Sequence, residues 1–458
     1  MATFRFRLRW LNFNLPFCYL CPMRESLSIQ VEDPERFRRQ LTSMGRSFDH
    51  FVLLDSHRDA SVYRDNSHDR YDFLAALDSV DQIQGGDHDG FDRLAPFAES
   101  KADWLFGYFS YDLKNESERL SSSHPDYIGF PALHFFQPRY VIVSEEGSVR
   151  LEYLPATTSR KEAHELIQTL LSLQVHRQED KRLSLLESRM SREEYLQTIG
   201  QLKEHIQRGD VYEVTYCQEY YGWGSMDPFQ IYMDLSAHSP APFSCLYKLG
   251  PHYLLSSSPE RFLSKSGSKV ISQPIKGTVG RGRTREADRL LRDQLRHDPK
   301  EQAENVMIVD LVRNDLSRTA RSGSVEVPEL FGIYTFPQVH QMISTVSAEI
   351  DPKHYLRCIR NAFPMGSMTG APKVRAMELI EQYEKTRRGL FSGAVGYFSP
   401  DKDFDFNVVI RSILFNSDQN YVSFQVGGAI TSLSQPEKEY QECQVKAGAM
   451  RRILTGHG

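Results

Sequence analysis

The stretch Ser272–Arg283, SQPIKGTVGRGR, sets Lys276 between a proline-stiffened apolar pair and a Gly-Thr turn. Lysines on a surface normally stand among polar neighbours, so one placed here is a candidate for a sequestered amine. An amine attacks an electrophile only when neutral. Its reference pKa is about 10.4, and exclusion of water or a nearby cation is what lowers it. Two acidic pairs offer a second kind of chemistry. Glu301 and Glu304 lie three residues apart in DPKEQAENVMIVDLVRND, and Glu439 and Glu442 repeat that spacing in QPEKEYQECQVKAGAMRRIL, with Lys446 one turn further on. Carboxylates three apart share a helical face and can grip a hard divalent cation such as magnesium through oxygen, partly by way of water. Either pair alone reads more simply as a solvated acidic face, and the spacing does not show that the two helices meet.

Two further segments suit an anion. FPMGSMTGAPKVRAMELIEQYE is a glycine-rich loop entering a helix at about Ala371, where loop N–H groups and a helix N-terminus can receive negative charge. It is not a P-loop, because Ala-Pro-Lys follows Gly370, and an ordinary capped loop would look the same. DFNVVIRSILFNSDQNYVSFQVGGAI reads as two strands joined at Asn416–Asn420, with Val409, Arg411, Ile413 and Phe415 on one face. An arginine in that apolar row needs an anionic partner, either a structural Asp or Glu or a substrate carboxylate. Gly427-Gly428 on the return strand permits close approach of a ligand to the backbone. Tyr397, in SGAVGYFSP, could reach the same anion or cap a core ring.

These groups need rigid elements to hold them. Asp298, Pro299 and Glu301 supply the N-cap, N1 and N3 of the first acidic helix. SREEYLQTIGQLKEHIQRGD opens with a capping box, Ser191 to Glu194, and carries Tyr195, Ile199, Leu202 and Ile206 on one face. Strands are expected at 50–56, 104–113, 212–221, 243–249 and 253–257, and Arg139–Leu154 reads as a hairpin turning at Glu146-Gly147. The runs of strands and helices lack strict βαβ alternation, which indicates an α+β fold with largely antiparallel sheets. No short-period repeat is present.

At 458 residues the chain is too long for one small core. A net charge of -5 supplies no field for nucleic acid, so a small-molecule substrate is favoured. Six cysteines are sparse for this length and point to a reduced, cytoplasmic setting, and the lone Cys18-x-x-Cys21 lacks the second pair of a zinc site. Residues 1–24 contain four arginines, no acid and a broken apolar run; they read as an extension outside the core rather than a membrane span or a strong targeting peptide.

Taken in order, SPERF (Ser258–Phe262), PIKGT (Pro274–Thr278), AENVMIVDLVRND (Ala303–Asp315), GSMTGAPKVRAMELI (Gly366–Ile380) and EYQECQVK (Glu439–Lys446) resemble the chorismate-utilising enzymes. That family includes anthranilate, aminodeoxychorismate, isochorismate and salicylate synthases. The likeness is strong from about Ser191 to Leu454 and looser through Asp55-Ser56 and GYFSYDL. It implies a four-layer α/β/β/α sandwich, with an N-terminal region at 25–185 and a chorismate-binding catalytic region at 186–455 forming one compact unit. Lysine in PIKGT is similar to the aminodeoxychorismate synthase branch, where anthranilate synthases generally carry alanine.

On that resemblance Lys276 is the nucleophile toward C2 of chorismate, and Glu260 is the general acid for the departing C4 hydroxyl. Ammonia then takes C4 and expels the lysine, in a transaminase-class amination leading toward p-aminobenzoate and folate. Glu304 and Glu442 match direct magnesium ligands, with Glu301 and Glu439 supporting through water. Arg411, Tyr397, Lys446 and the Gly427-Gly428 backbone match groups on the enolpyruvyl carboxylate; Thr278, His340 and Thr369 match others lining the substrate. Lys373 receives no role. Glu213 departs from the pattern, standing where relatives commonly have glutamine and where the water-adding members use lysine; it either orients Lys276 or points away. VGGAI departs from the commoner three glycines. Leu53–Ser56 loosely resembles the tryptophan pocket of relatives but reads more simply as a plain core strand. No glutamine amidotransferase signature is present, so ammonia would come from a separate glutaminase subunit, component II. The alternatives are anthranilate synthase component I and a chorismate-binding protein without catalysis.

Overall fold

The computed structural model describes residues 24–57, 70–175, 177 and 182–456. The expectations for residues 1–23, including Cys18 and Cys21, lie outside the described residues. Arg24 belongs to the fold rather than to an extension: its guanidinium donates to both Asp103 oxygens at 2.6 and 2.9 Å, with the pair almost fully buried.

Alternating apolar residues produce long two-faced strands, and these pair antiparallel throughout. One run passes from Glu25–Ile29 through Ser148–Tyr153, Leu133–Glu145, Phe73–Gly85, His50–Asp55, Phe243–Leu249, His252–Ser258, Ser412–Asn416 and Tyr421–Ile430 to Glu213–Trp223. A second run leaves Leu133–Glu145 through Leu105–Phe109, Ala394–Phe398, Phe404–Asn407, Arg261–Ser266, Lys269–Gln273 and Val339–Glu349. Ile275–Gly280 and Glu326–Thr335 pair with that last strand.

Successive residues of the first run enter different cores. Leu53, Ala75, Ile142, Leu246, Ile413 and Phe424 pack with Leu41, Ile167, Leu202, Ile380 and Ile453 of covering helices. Their neighbours Val52, Ala76, Val141, Tyr247 and Leu414 meet Phe106, Leu263, Val270, Val346 and Phe406 of the second run, a core that also takes Leu94, Ile308 and Ile359 from helices. Helices, sheet, sheet and helices form the expected α/β/β/α order. Strands from both halves of the chain pair directly, as where His50–Asp55 lies against Phe243–Leu249.

Most expected elements form, including the capping box at Ser191, the Asp298 cap and the turn at Glu146-Gly147. Three differ. Trp104–Leu113 is a strand only over Leu105–Phe109 before a 3-10 turn. The helix expected at Ala371 starts at Lys373, because Gly370-Ala371 pairs with Val214 and Glu213. Arg411 is not in a strand: its φ of 53° breaks the extended run, and the strand begins at Ser412.

A buried ion pair ties the glycine-rich loop to the first sheet run. Arg388 donates to Glu384 at 2.6 and 2.9 Å, to the Met368 carbonyl at 2.6 Å and to the Thr215 carbonyl at 2.9 Å. Glu384 also accepts from the Cys217 N–H at 2.9 Å. Removing one partner leaves a buried charge without its counter-charge. Arg388→Met is expected to destabilise the fold by about 3–5 kcal/mol, while Arg388→Met with Glu384→Leu recovers much of that loss; thermal unfolding midpoints check both.

Candidate active site

Lys276 sits on Ile275–Gly280, a strand that lies against the acidic helix Pro299–Ser317. Gly277 makes this contact possible: its φ is +95°, and a Cβ there would stand 3.1 Å from Glu301 Oε2 and 3.3 Å from Met342 Cβ. The Lys276 amine donates to Glu213 Oε1 at 2.6 Å, with the two side chains 11% and 1% exposed. Glu213 therefore orients Lys276 rather than pointing away. The expectation of a lowered amine pKa is overturned. Burial pulls it down, but Glu213, and then Glu304 and Glu260, outweigh that and hold it above the ordinary lysine value. At rest the amine is an ammonium.

Glu260 is buried beside this pair and accepts from Ser367 Oγ at 2.6 Å. Burial pushes its carboxyl up to about 7, against the opposing effects of Ser367 and Lys276. A carboxyl that keeps its proton to neutrality has the properties of a general acid.

The two acidic helices do meet. Lys300 feels Glu304, Glu301, Glu439 and Glu442 together, and Glu301 and Glu442 raise one another's cost of ionisation. Burial raises Glu301 and Glu439, and it lifts Glu304 to about 7. Burial also acts upward on Glu442, but Lys446, Lys300 and Lys276 outweigh it and hold that carboxyl below the usual range. Among the described residues no three such side chains close to ligand distance. The donor set still fits a hard divalent cation: four carboxylates from two helices gather around a spot that Lys300, 3.6 Å from Glu304, already tends with positive charge.

The other end of the cluster carries cations. Lys446 bridges Glu442 Oε1 at 2.6 Å and the Gly427 carbonyl at 2.9 Å. A Cβ on Gly428 would lie 3.5 Å from Glu439 and 3.8 Å from Glu442, so this backbone faces the carboxylates. Arg411 has no side-chain hydrogen bond or ion pair among the described residues, and burial lowers its pKa against the pull of Glu442. A guanidinium desolvated without a direct partner, at a left-handed φ, is poised to take an anion.

Four sequence candidates are placed differently. Tyr397 does not join Arg411: its ring packs on Tyr71, Trp104 and Phe106, because the alternation of its strand turns it the other way. It lines a cavity of about 70 Å³ with Ser56, Tyr71 and Phe243, which shares no residue with the carboxylate cluster. His340 has both ring nitrogens engaged, with Asp288 at 3.0 Å and Thr335 at 2.9 Å, so it is a satisfied core histidine. Thr369 is buried and its hydroxyl donates to the Met365 and Gly366 carbonyls. Thr278 is exposed. Lys373 gains a structural role, binding Asp315 at 2.6 Å and thereby pinning its helix to the first acidic helix. Sequence reading missed Lys300, Ser367, Glu384 and Arg388; the only local signal was the charge of Lys300 within the acidic segment.

Residues 38–452 match the family model described as chorismate binding enzyme. The chain belongs to that family. It is 32% identical to aminodeoxychorismate synthase component 1 of Bacillus subtilis, over 92% of this chain and 95% of that one. It is 36% identical to the chloroplastic aminodeoxychorismate synthase of Arabidopsis thaliana, over 77% of this chain but only 41% of the plant protein, so it spans less than half of that relative. Anthranilate synthase component I of Streptococcus pneumoniae superposes with a TM-score of 0.73 at 25% identity, covering 85% of this chain and 93% of that one. No described helix of this chain is long and apolar enough to cross a membrane.

The raised Glu260 pKa gives a signed pH effect. The folded state holds that proton to about pH 7, whereas the unfolded chain releases it near 4.5. Wild type therefore loses stability relative to Glu260→Gln as pH rises from about 4.5 to 7, reaching about 3 kcal/mol above that window. Unfolding of both proteins across pH 4–8 checks the direction.

Proposed function

We propose that this chain is an aminodeoxychorismate synthase component I, converting chorismate and ammonia to 4-amino-4-deoxychorismate through a covalent lysine intermediate. The observation that carries this reading is the Lys276 amine, shielded from solvent between Glu213 and the acidic helices and beside a protonated Glu260. A chorismate dianion would enter with one carboxylate toward Arg411, Lys446 and the Gly427-Gly428 backbone. Its other carboxylate would lie toward the gathered glutamates. Glu304 and Glu442 would hold a magnesium ion, with Glu301 and Glu439 behind them, and the ion would supply counter-charge to the ring carboxylate.

Lys276 attacks C2, Glu260 protonates the departing C4 oxygen, and water leaves. Ammonia then bonds to C4 and the lysine is released. The described cysteines are buried, and burial raises their thiols, so none of them is poised as a glutaminase nucleophile. Ammonia comes from a separate glutamine amidotransferase, and the chain works in the cytoplasm.

Product identification after incubation with chorismate, magnesium and ammonia tests the reading. Anthranilate as the main product would replace it with anthranilate synthase, and calorimetric binding with no turnover, even with a glutaminase supplied, would leave a binding protein. Lys276→Ala is expected to abolish an adduct of chorismate less water seen by intact mass; persistence of the adduct points to a different nucleophile. Glu304→Ala and Glu442→Ala are each expected to raise the magnesium concentration for half-activity by more than about tenfold, with near-normal thermal unfolding. An unchanged magnesium titration removes both from the metal site.

A further inference from the structure

The resting ammonium at Lys276 poses a chemical problem. It has no lone pair, so attack on C2 requires that a proton first leave, and the Lys276 side chain is only 11% exposed to solvent. Several charged groups face this amine. Glu304 and Glu301 come from the Pro299–Ser317 helix, Glu442 from Pro436–Thr455, Glu260 from the turn before Arg261–Ser266, and Glu213 from Glu213–Trp223. Of these only Glu213 is hydrogen-bonded to the amine, at 2.6 Å.

Two features suit Glu213 to more than orientation. Its second oxygen, Oε2, is buried and has no hydrogen-bond partner, so the carboxyl can hold a proton without breaking another bond. Its main chain is also fixed. Gly370, at φ +148°, comes so close that a Cβ there would stand 2.1 Å from the Glu213 carbonyl oxygen. The carboxylate is thus aimed by the backbone, not by solvent.

We infer that Glu213 is the proton acceptor that turns the Lys276 ammonium into a nucleophile, passing a single proton back and forth along their hydrogen bond during turnover. This rests on the covalent-lysine reading above. In the forward half, the proton moves from Nζ to Glu213, and the freed lone pair forms the Nζ–C2 bond. The ring double bonds shift along the diene, the C4–O bond breaks with its electron pair on oxygen, and the Glu260 proton makes that oxygen water. Ionised Glu260 and protonated Glu213 face a secondary ammonium adduct, and charge balances. In the return half, ammonia bonds to C4, the diene electrons shift back, and the Nζ–C2 bond breaks with its pair on nitrogen. Lysine regains the Glu213 proton, and Glu260 regains one from the new C4 ammonium. A glutamine at position 213 could orient the amine but could not take its proton.

The Lys276 proton stays within the pair, so bulk pH enters adduct formation in wild type only through Glu260, whose ionisation above about pH 7 slows wild type and Glu213→Gln alike. In Glu213→Gln the proton must leave to solvent, and the neutral fraction of the amine grows about tenfold per pH unit below its pKa. The test is the rate of adduct formation by intact mass, with chorismate and magnesium but no ammonia, from pH 6.5 to 9. The enzymes are wild type, Glu213→Gln and Lys276→Ala. The expected result is a wild-type rate that falls above about pH 7 as Glu260 loses its proton, and a Glu213→Gln rate that starts far lower, with its ratio to the wild-type rate climbing about tenfold per unit. Matching profiles overturn the inference, as does a Glu213→Gln enzyme that binds chorismate yet forms no adduct even at pH 9. Absence of adduct in wild type itself removes the covalent reading and this inference with it. Adduct in wild type with matching profiles removes only the role of Glu213.

Discussion

The Lys276–Glu213 pair is the constraint around which the site is arranged. A charged amine and a charged carboxylate leave water together at tolerable cost when each neutralises the other, and a 2.6 Å contact between side chains 11% and 1% exposed does that, although Glu213 Oε2 keeps no hydrogen-bond partner. Glu260, Glu301, Glu304 and Glu442 all feel the lysine of the pair. Glu260 keeps its proton despite the lysine because burial dominates, while Glu304 is pulled in both directions and still rises. The same low-dielectric setting that makes the pair necessary also makes a short proton move between its members cheap compared with release to solvent.

The pair depends in turn on backbone that brooks no bulk. Glycine at 277 brings the lysine strand onto the acidic helix, and glycine at 370 brings the loop onto the start of the Glu213 strand. Arg388 and Glu384 then lock that loop from behind, and Ser367 from the same loop holds Glu260. Lys276, Glu213 and the four gathered glutamates thus stand on sheet and helix, with the loop clamped to them, an arrangement suited to holding groups within fractions of an ångström.

What was legible in the sequence was mostly local. Capping residues, the i,i+3 glutamates and the hairpin turn depend on neighbours a few positions away, and all formed. The meeting of the two acidic helices, about 140 residues apart in the chain, was invisible to spacing. So was the facing of Tyr397, because strand alternation gives two faces and does not say which one meets the site. His340 carried no sign that Asp288 and Thr335 would take both its nitrogens. For Arg411 the alternation in the sequence misleads, since a left-handed residue interrupts the strand pattern there. Glu213 stands out in the sequence as a departure that either orients Lys276 or points away, and deciding between the two needs the partner across the cleft.

The interleaving of the two halves bears on how such a molecule comes into being. The strand His50–Asp55 waits for Phe243–Leu249, and Leu183 finds its backbone partner at Leu454. Glu439 and Glu442 are carried by the last long helix. During synthesis the nascent polypeptide must therefore hold early strands open until late ones emerge, so acquisition of a working cleft is among the final events of maturation.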